Sequence, residues 1–386
     1  MTTPLEGIKV LDLSRVLAGP WCTQTLADMG AEVWKIEPPG KGDDTRSWMP
    51  PEIGGESTYF QCCNHSKKSV AIDLKSEEGQ RAVRALAAEA DILVENFRMG
   101  ALDRMGFGFE ALSQINPRLI YCSVSGYGRT GPRAAEPGYD FTIQAESGLM
   151  AITGEPDGAP MKMGVAITDL VTGMNAVQAI LAALLARERT GRGQHIDIAL
   201  FDSAVALLAN VASGHLATGA LSRRYGNAHA TVVPYQIFST ADSSLALAVG
   251  NDQQFRALCE RVIGRPDLAE DARYSANRAR VLNRETLIPI LEGIFATQRT
   301  RHWIERLRAA GVPGGQVRNV REVFASPEVA ARGIVSVVPD ALHGELRLVR
   351  SPLRLSDTPL RAPQAPPRLG EHTDEVLGRI TSPSNE

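Results

Sequence analysis

Over the first 130 residues, short apolar runs alternate with segments of helical period, the order that builds a parallel sheet with helices on its faces. The runs Ile8–Leu13, Glu32–Ile36, Ser69–Leu74, Asp91–Glu95 and Leu119–Ser123 read as strands. Between them, Ser76 followed by Glu77 and Glu78 reads as the N-cap and acidic first turn of a helix reaching about Ala90. From Leu170 to about Arg187 the chain is rich in Ala, Leu, Val and Ile without proline, which predicts a largely buried helix stopping at Thr190-Gly191-Arg192-Gly193. His195–Leu200 alternates as a further strand, and Asp202-Ser203 is placed to cap a second apolar helix. These elements predict an α/β fold, with residues 1–200 as a large Rossmann-like parallel-sheet domain.

Around Ser222–Pro234 the periodicity breaks, and Tyr235–Val249 reads as a hairpin turning at Ala241–Ser244. Helices are expected near Gln253–Ile263, Asn283–Ala296 and Thr300–Ala310, before the turn Gly311–Gly315. The expected organisation is therefore a linker over 201–224, a smaller α+β domain over 225–320 and a return linker over 321–345. A C-terminal segment, 346–386, is expected to pack back on the large domain, with the proline-rich stretch Asp357–Pro367 marking a late connection.

Composition narrows the function without naming it. The 386 residues are 44% hydrophobic and 22% charged, ordinary for a globular chain. A formal charge of −3 and a pI near 6.2 supply no basic field for a nucleic-acid backbone. No run of about 18 apolar residues and no signal-peptide pattern stands in the chain, which predicts a cytoplasmic protein with no membrane partner. Cys22, Cys62, Cys63, Cys122 and Cys259 show neither C-x-x-C spacing nor a histidine cluster, so no metal site is expected. The adjacent Cys62-Cys63 pair reads as small buried hydrophobes.

Two segments invite chemistry. Gly126-Tyr127-Gly128-Arg129-Thr130-Gly131 matches G-x-G-x-x-G after a strand, but Pro132 and Pro137-Gly138 interrupt the helix that a dinucleotide site requires. In Gly164-Val165-Ala166-Ile167-Thr168-Asp169-Leu170-Val171-Thr172-Gly173 an acid stands at the entrance of the long helix. Such an aspartate either caps the helix or works as a reactive carboxylate.

Ten motifs in order give the chain a resemblance to the class III CoA-transferases. They are Gly7–Leu13, Leu17-Ala18-Gly19-Pro20, Gly30-Ala31-Glu32-Val33, Asp91–Phe97, Ser125–Pro132, Gly138-Tyr139-Asp140, the Asp169 segment, Thr190–Asp197, Gly311–Gly315 and Leu369-Gly370-Glu371-His372-Thr373. The resemblance implies that Asp169 is the catalytic aspartate, that coenzyme A or acyl-CoA is substrate, and that no permanently bound cofactor is needed. It places CoA on Val16, Ala18, Ile72, Asp73, Leu74, Lys75, Asn96, Phe97, Arg98, Arg104, Met105, Gly138 and Tyr139. Lys75, Arg98 and Arg104 suit phosphates, and Phe97 and Met105 suit adenine or pantetheine. It also implies a mobile loop at Ala248–Gln253, including Gly250 and Asn251, and a homodimer of interlocked rings.

Asp43–Arg46, Thr58-Tyr59, Ile152–Gly154 and Ala228–Tyr235 are more similar to succinyl-CoA:glutarate transferases than to the oxalate enzyme. A dicarboxylate in a dry pocket needs a cation, with Arg46 the leading candidate and His229 the second. Transfer to another acid such as oxalate, an α-methylacyl-CoA racemase and an inactive acyl-CoA-binding protein are the alternatives. The racemase needs a histidine where Tyr139 stands. An unperturbed aspartate near pKa 3.9 is already ionised at pH 7. The expected obstacle is the climb of about 4–5 units to a thiol, on the order of 6 kcal/mol.

Overall fold

The computed structural model describes residues 2–381. It divides into two compact units, one made of the chain up to Leu149, Lys162–Ala220 and Ala330 onward, the other of Met150–Met161 and Leu221–Val329.

The first unit is built on six parallel strands: β1 (Lys9–Asp12), β2 (Glu32–Glu37), β3 (Lys68–Ala71), β4 (Ile92–Glu95), β5 (Ile120–Ser125) and β6 (His195–Ala199). Their order is β3-β2-β1-β4-β5-β6. Val10 of β1 stands opposite both Val33 and Ile92, so the chain departs to one side of β1 and later returns on the other. In such a sheet the crevice beyond the carboxyl ends of the two central strands is where ligands bind.

Helices α1 (Ala18–Asp28), α2 (Glu77–Glu89), α3 (Asp140–Glu146) and α4 (Ile167–Thr190) surround the sheet, followed by α5 (Leu200–Ala206) and α6 (Ala209–Thr218). Ser76 caps α2 as expected, its Oγ accepting the Gly79 amide at 3.0 Å. Helix α4 ends on Gly191, which takes the left-handed φ of 69° that a C-terminal stop requires. Leu26, Cys22 and Ala27 of α1 and Ala176, Ile180 and Ala183 of α4 share one core with Val10, Ile92 and Ile120.

Several sequence expectations need correction. Helix α4 is buried along one face rather than all round, and Met174 and Leu185 lie on its exposed side at 52% and 64%. Its apolar composition carried no record of which face would meet the core. By length and composition α4 could cross a membrane, yet it packs on α1 and buries Arg187, which pairs with Asp91 at 2.9 Å. Helix α5 starts at Leu200, so Asp202 lies in its first turn instead of capping it. The stretch read as a linker over 201–224 contains α5 and α6. The stretch over 321–345 holds short helices Val320–Phe324 and Pro327–Ala331 and the strand Val335–Asp340, paired with Gly344–Val349.

The second unit is a three-stranded antiparallel sheet. Strands Tyr235–Ser239 and Ser244–Ala248 form the expected hairpin, joined by Gly314–Gln316. Helices Arg284–Phe295 and Thr300–Ala310 cover it, with Phe238, Leu245, Leu291, Phe295 and Trp303 in the core.

Candidate active site

Asp169 is the third residue of α4. Residue Ala166, at the N-cap, offers no side-chain acceptor, and the cap comes from elsewhere. Asp140, the first residue of α3, accepts the amide and the hydroxyl of Thr168 on one oxygen, at 2.8 and 2.7 Å. Its other oxygen accepts from Gln144 at 2.7 Å. Asp140 thus does the capping that was the alternative role for Asp169. Among the described residues the Asp169 carboxylate has no hydrogen-bond or ion-pair partner.

Burial pushes the Asp169 carboxyl up to about 7, and the charge of Asp140 pushes the same way. This corrects the expectation of an aspartate fully ionised at neutral pH. Chemically the shift is favourable. Against a thiol of pKa about 8.5, a carboxylate near 7 faces a gap of about 1.5 units, roughly 2 kcal/mol, instead of about 6.

A glycine fixes where Asp169 stands. A Cβ at Gly173 would lie 2.7 Å from the Ala18 carbonyl oxygen, so only glycine lets α4 press on the first turn of α1. Asp169 lies one turn earlier than Gly173 on the same face of α4.

Tyr59 belongs to the short helix Thr58–Gln61. Burial, and then the nearby charges led by Asp169, hold its hydroxyl well above the usual tyrosine range, so it stays a hydrogen-bond donor. Its ring meets Trp48 edge-on with centroids 5.1 Å apart. Trp48, Met49, Pro50, Pro51, Thr58, Tyr59 and Cys62 line a cavity of about 490 Å³. Contrary to the sequence reading of the cysteine pair, Cys63 is buried while Cys62 is exposed.

The residues expected to bind CoA fall on loops at the carboxyl edge of the sheet. After β1, Val16 adopts a φ of 72°, unusual for a β-branched residue, with its amide 3.3 Å from an Asp43 oxygen, and Ala18 opens α1. After β4, Asn96 and Arg15 exchange hydrogen bonds of 2.9 and 2.7 Å, and the Arg15 guanidinium lies 5.2 Å over the Phe97 ring. These two loops flank the crevice between β1 and β4. After β3, Ile72 is buried, Leu74 half-buried, and Asp73 accepts the amide of exposed Lys75 at 2.9 Å. Arg98 and Arg104 are exposed and Met105 is half-buried. Gly138 abuts the backbone of Gly126, where a Cβ would lie 2.6 Å from Gly126 Cα, and Tyr139 beside it is 68% exposed.

Arg46 has a different place from the one expected. Its Nε and Nη2 donate to the two oxygens of Glu37 at 2.7 and 2.8 Å, and Nη2 also reaches the Pro367 carbonyl at 3.1 Å. The guanidinium lies 3.7 Å over Phe60. Although burial pushes Glu37 up, Arg46 and Lys35 hold its carboxyl below the usual range. Arg46 therefore neutralises a buried acid of β2 and ties down the C-terminal segment. His229, Gly250 and Asn251 belong to the second unit. The His229 Nδ1 accepts the Thr231 amide at 3.1 Å. Asn251 caps the helix Asp252–Ala257 through the Gln254 amide at 2.9 Å, and the Gly250 amide donates to Gln254 at 2.7 Å, which makes Ala248–Gln253 a capped strand-to-helix turn.

Asp140 and Tyr59 were not assigned roles from sequence. Both stood inside recognisable motifs, but nothing local signals that Asp140 caps a helix 28 residues later.

The sequence matches the model of CoA-transferase family III over residues 5–373. It is 46% identical over 384 residues to the succinate–glutarate CoA-transferase of Agrobacterium fabrum, covering 98% of this chain and 96% of that one. It is 44% identical over 377 residues to the succinyl-CoA:glutarate CoA-transferase of Mus musculus, covering 98% and 86%. A crystal structure of a CAIB/BAIF family protein from Brucella suis superposes with a TM-score of 0.88 at 45% identity, covering 98% of this chain and all of that one.

Proposed function

The chain belongs to CoA-transferase family III and is a CoA-transferase, and from that premise we propose that it carries CoA from succinyl-CoA to a short dicarboxylic acid such as glutarate, with Asp169 as nucleophile. The observation that carries this reading is a carboxylate relieved of capping by Asp140, raised to about 7, and close enough to act electrostatically on Tyr59, which lines a cavity. The identity of 44–46% to two glutarate transferases supports the acid class.

The reaction starts when the Asp169 carboxylate attacks the thioester carbonyl, forming a succinyl–aspartyl anhydride and expelling the CoA thiolate. The thiolate attacks the aspartyl carbonyl, releasing succinate and leaving an aspartyl–CoA thioester. The acceptor carboxylate then displaces the thiolate to give a second anhydride. Attack by the thiolate on the acceptor's carbonyl releases the new acyl-CoA and restores Asp169. No net proton is consumed. The protonated Tyr59 hydroxyl is suited to donate to the oxygen that gains charge in these steps. The Trp48–Cys62 cavity takes the acyl chain. CoA lies across the carboxyl edge of the sheet, from Ile72–Lys75 past Val16 and Ala18 to Asn96–Met105 and Gly138-Tyr139.

The working unit in this reading is a homodimer of interlocked chains. Helix α6 buries none of its residues, and Leu216 on it is 84% exposed, with Met174 and Leu185 exposed on α4, Val205 on α5 and Leu207 just after it. Apolar faces of this kind call for a second protein surface.

The test is a steady-state assay with succinyl-CoA and a panel of acids. Glutarate or a neighbouring dicarboxylate should give the highest kcat/KM; a preference for monocarboxylates or oxalate overturns the substrate assignment.

A further inference from the structure

The acyl cavity is lined by a loop whose far end is pinned by a residue nearly 300 positions away in the chain. Glu52 pairs with Ser57 and Ile53 with Glu56, so Gly54 and Gly55 form the tip of a small hairpin. Its base carries the cavity wall. The Ser57 hydroxyl donates to the Trp48 carbonyl at 2.9 Å and accepts the Tyr59 amide, and the Thr58 amide donates to the Pro51 carbonyl. A second hairpin, Val335–Asp340 with Gly344–Val349, brings its own tip to the same place. At that tip the Asp340 carboxylate accepts the His343 amide at 2.9 Å and Nδ1 at 2.6 Å. Asp340 thus anchors both the backbone and the ring of His343, and the imidazole is buried, its side chain 8% exposed.

Nδ1 faces the carboxylate and Nε2 faces Gly54. A Cβ on residue 54 would collide with His343 Nε2 and Cδ2, and Gly54 also has a φ of 55°. The Nε2 atom is buried without a hydrogen-bond partner among the described residues. A buried polar atom left unpaired costs stability that a solvent-facing rotamer would avoid. The histidine holds this position because Asp340 fixes the ring and the glycine face fills the space before it.

We propose that His343 is a positioning residue for CoA transfer: through Gly54 it braces the Trp48–Tyr59 loop and sets the shape of the acyl cavity. It touches no reacting atom. The inference rests on the reading of that cavity as the acyl site, so its test includes a measurement independent of substrate. Cys62 lines the cavity and is exposed, which makes its alkylation rate a gauge of how open the wall stands.

The experiment compares wild type, His343→Ala, Gly54→Ala and the double variant in the full-length enzyme. His343→Ala is expected to raise the acceptor-acid KM by about 3- to 10-fold with kcat within about twofold, the size of coupling usual between contacting residues. Iodoacetamide should modify Cys62 faster, read by peptide mass spectrometry. Gly54→Ala should cause a similar KM defect that the double variant does not deepen, because the collision disappears with the imidazole. Unchanged KM and unchanged Cys62 alkylation in His343→Ala overturn the brace, as do strictly additive effects in the double variant. Faster alkylation in a protein that uses no dicarboxylate upholds the brace and rejects the substrate reading instead.

Discussion

The carboxylate of Asp140 accepts both the amide and the hydroxyl of Thr168, the residue immediately before Asp169. One acid thereby fixes the helix end on which the other works, and its charge helps hold Asp169 near neutrality.

Asp140→Asn keeps an oxygen for Thr168 and removes the charge. The alkaline-going limb of the kcat/KM profile, set by ionisation of Asp169 near 7, should move to lower pH. Asp140→Ala should in addition cost about 0.5–2 kcal/mol of stability through the lost cap. Assays between pH 5 and 9 and thermal unfolding separate the two effects; a limb that stays in place in Asp140→Asn removes Asp140 from the electrostatics.

Asp169→Ala should abolish turnover, and hydroxylamine added with donor should convert wild-type Asp169 to its hydroxamate, read by mass spectrometry. The stability consequence has a definite sign. Folded Asp169 keeps its proton up to about 7 while the unfolded chain loses it near pH 4, so the native state binds more protons in between and stability falls as pH rises through that window. Asp169→Asn should therefore raise Tm more at pH 8 than at pH 4. A Tm gain independent of pH would show that the native carboxyl is unshifted.

Arg46→Met should strip a buried acid of its main partner. Breaking such a pair costs about 3–5 kcal/mol, and Glu37 is 1% exposed. Urea unfolding should show this loss, with Glu37→Gln in the same chain recovering part of it. The ratio of KM values for dicarboxylates and monocarboxylates should not change. A selective loss for dicarboxylates would return Arg46 to the substrate site.

Sedimentation should give a mass of about twice 41.6 kDa at micromolar concentration. Leu216→Glu puts a charge on the uncovered face of α6 and should weaken that association. A fully active monomer would remove the dimer from the mechanism.

The six parallel strands, the Ser76 cap and the Gly191 stop were readable from sequence because each depends on residues within a few positions: alternation and apolar runs for the strands, an oxygen beside free amides for the cap, a left-handed φ for the stop. Asp169 was readable as a carboxylate at a helix entrance, but that it leaves the capping of that helix to another residue was not. Asp140, distant in sequence, takes the cap. Arg46 shows the same limit in reverse, since its charge suggested a ligand while Glu37, a neighbour only once β2 and the following turn had packed, had already claimed it. Helix α4 declared its length and its apolar character; which face met α1 was decided by Gly173 against Ala18. Residue type and spacing determine local dihedrals and intrinsic basicity. Desolvation and charge partners arise only when distant segments exclude water from one another, and that is where Asp169 acquired its carboxyl near 7.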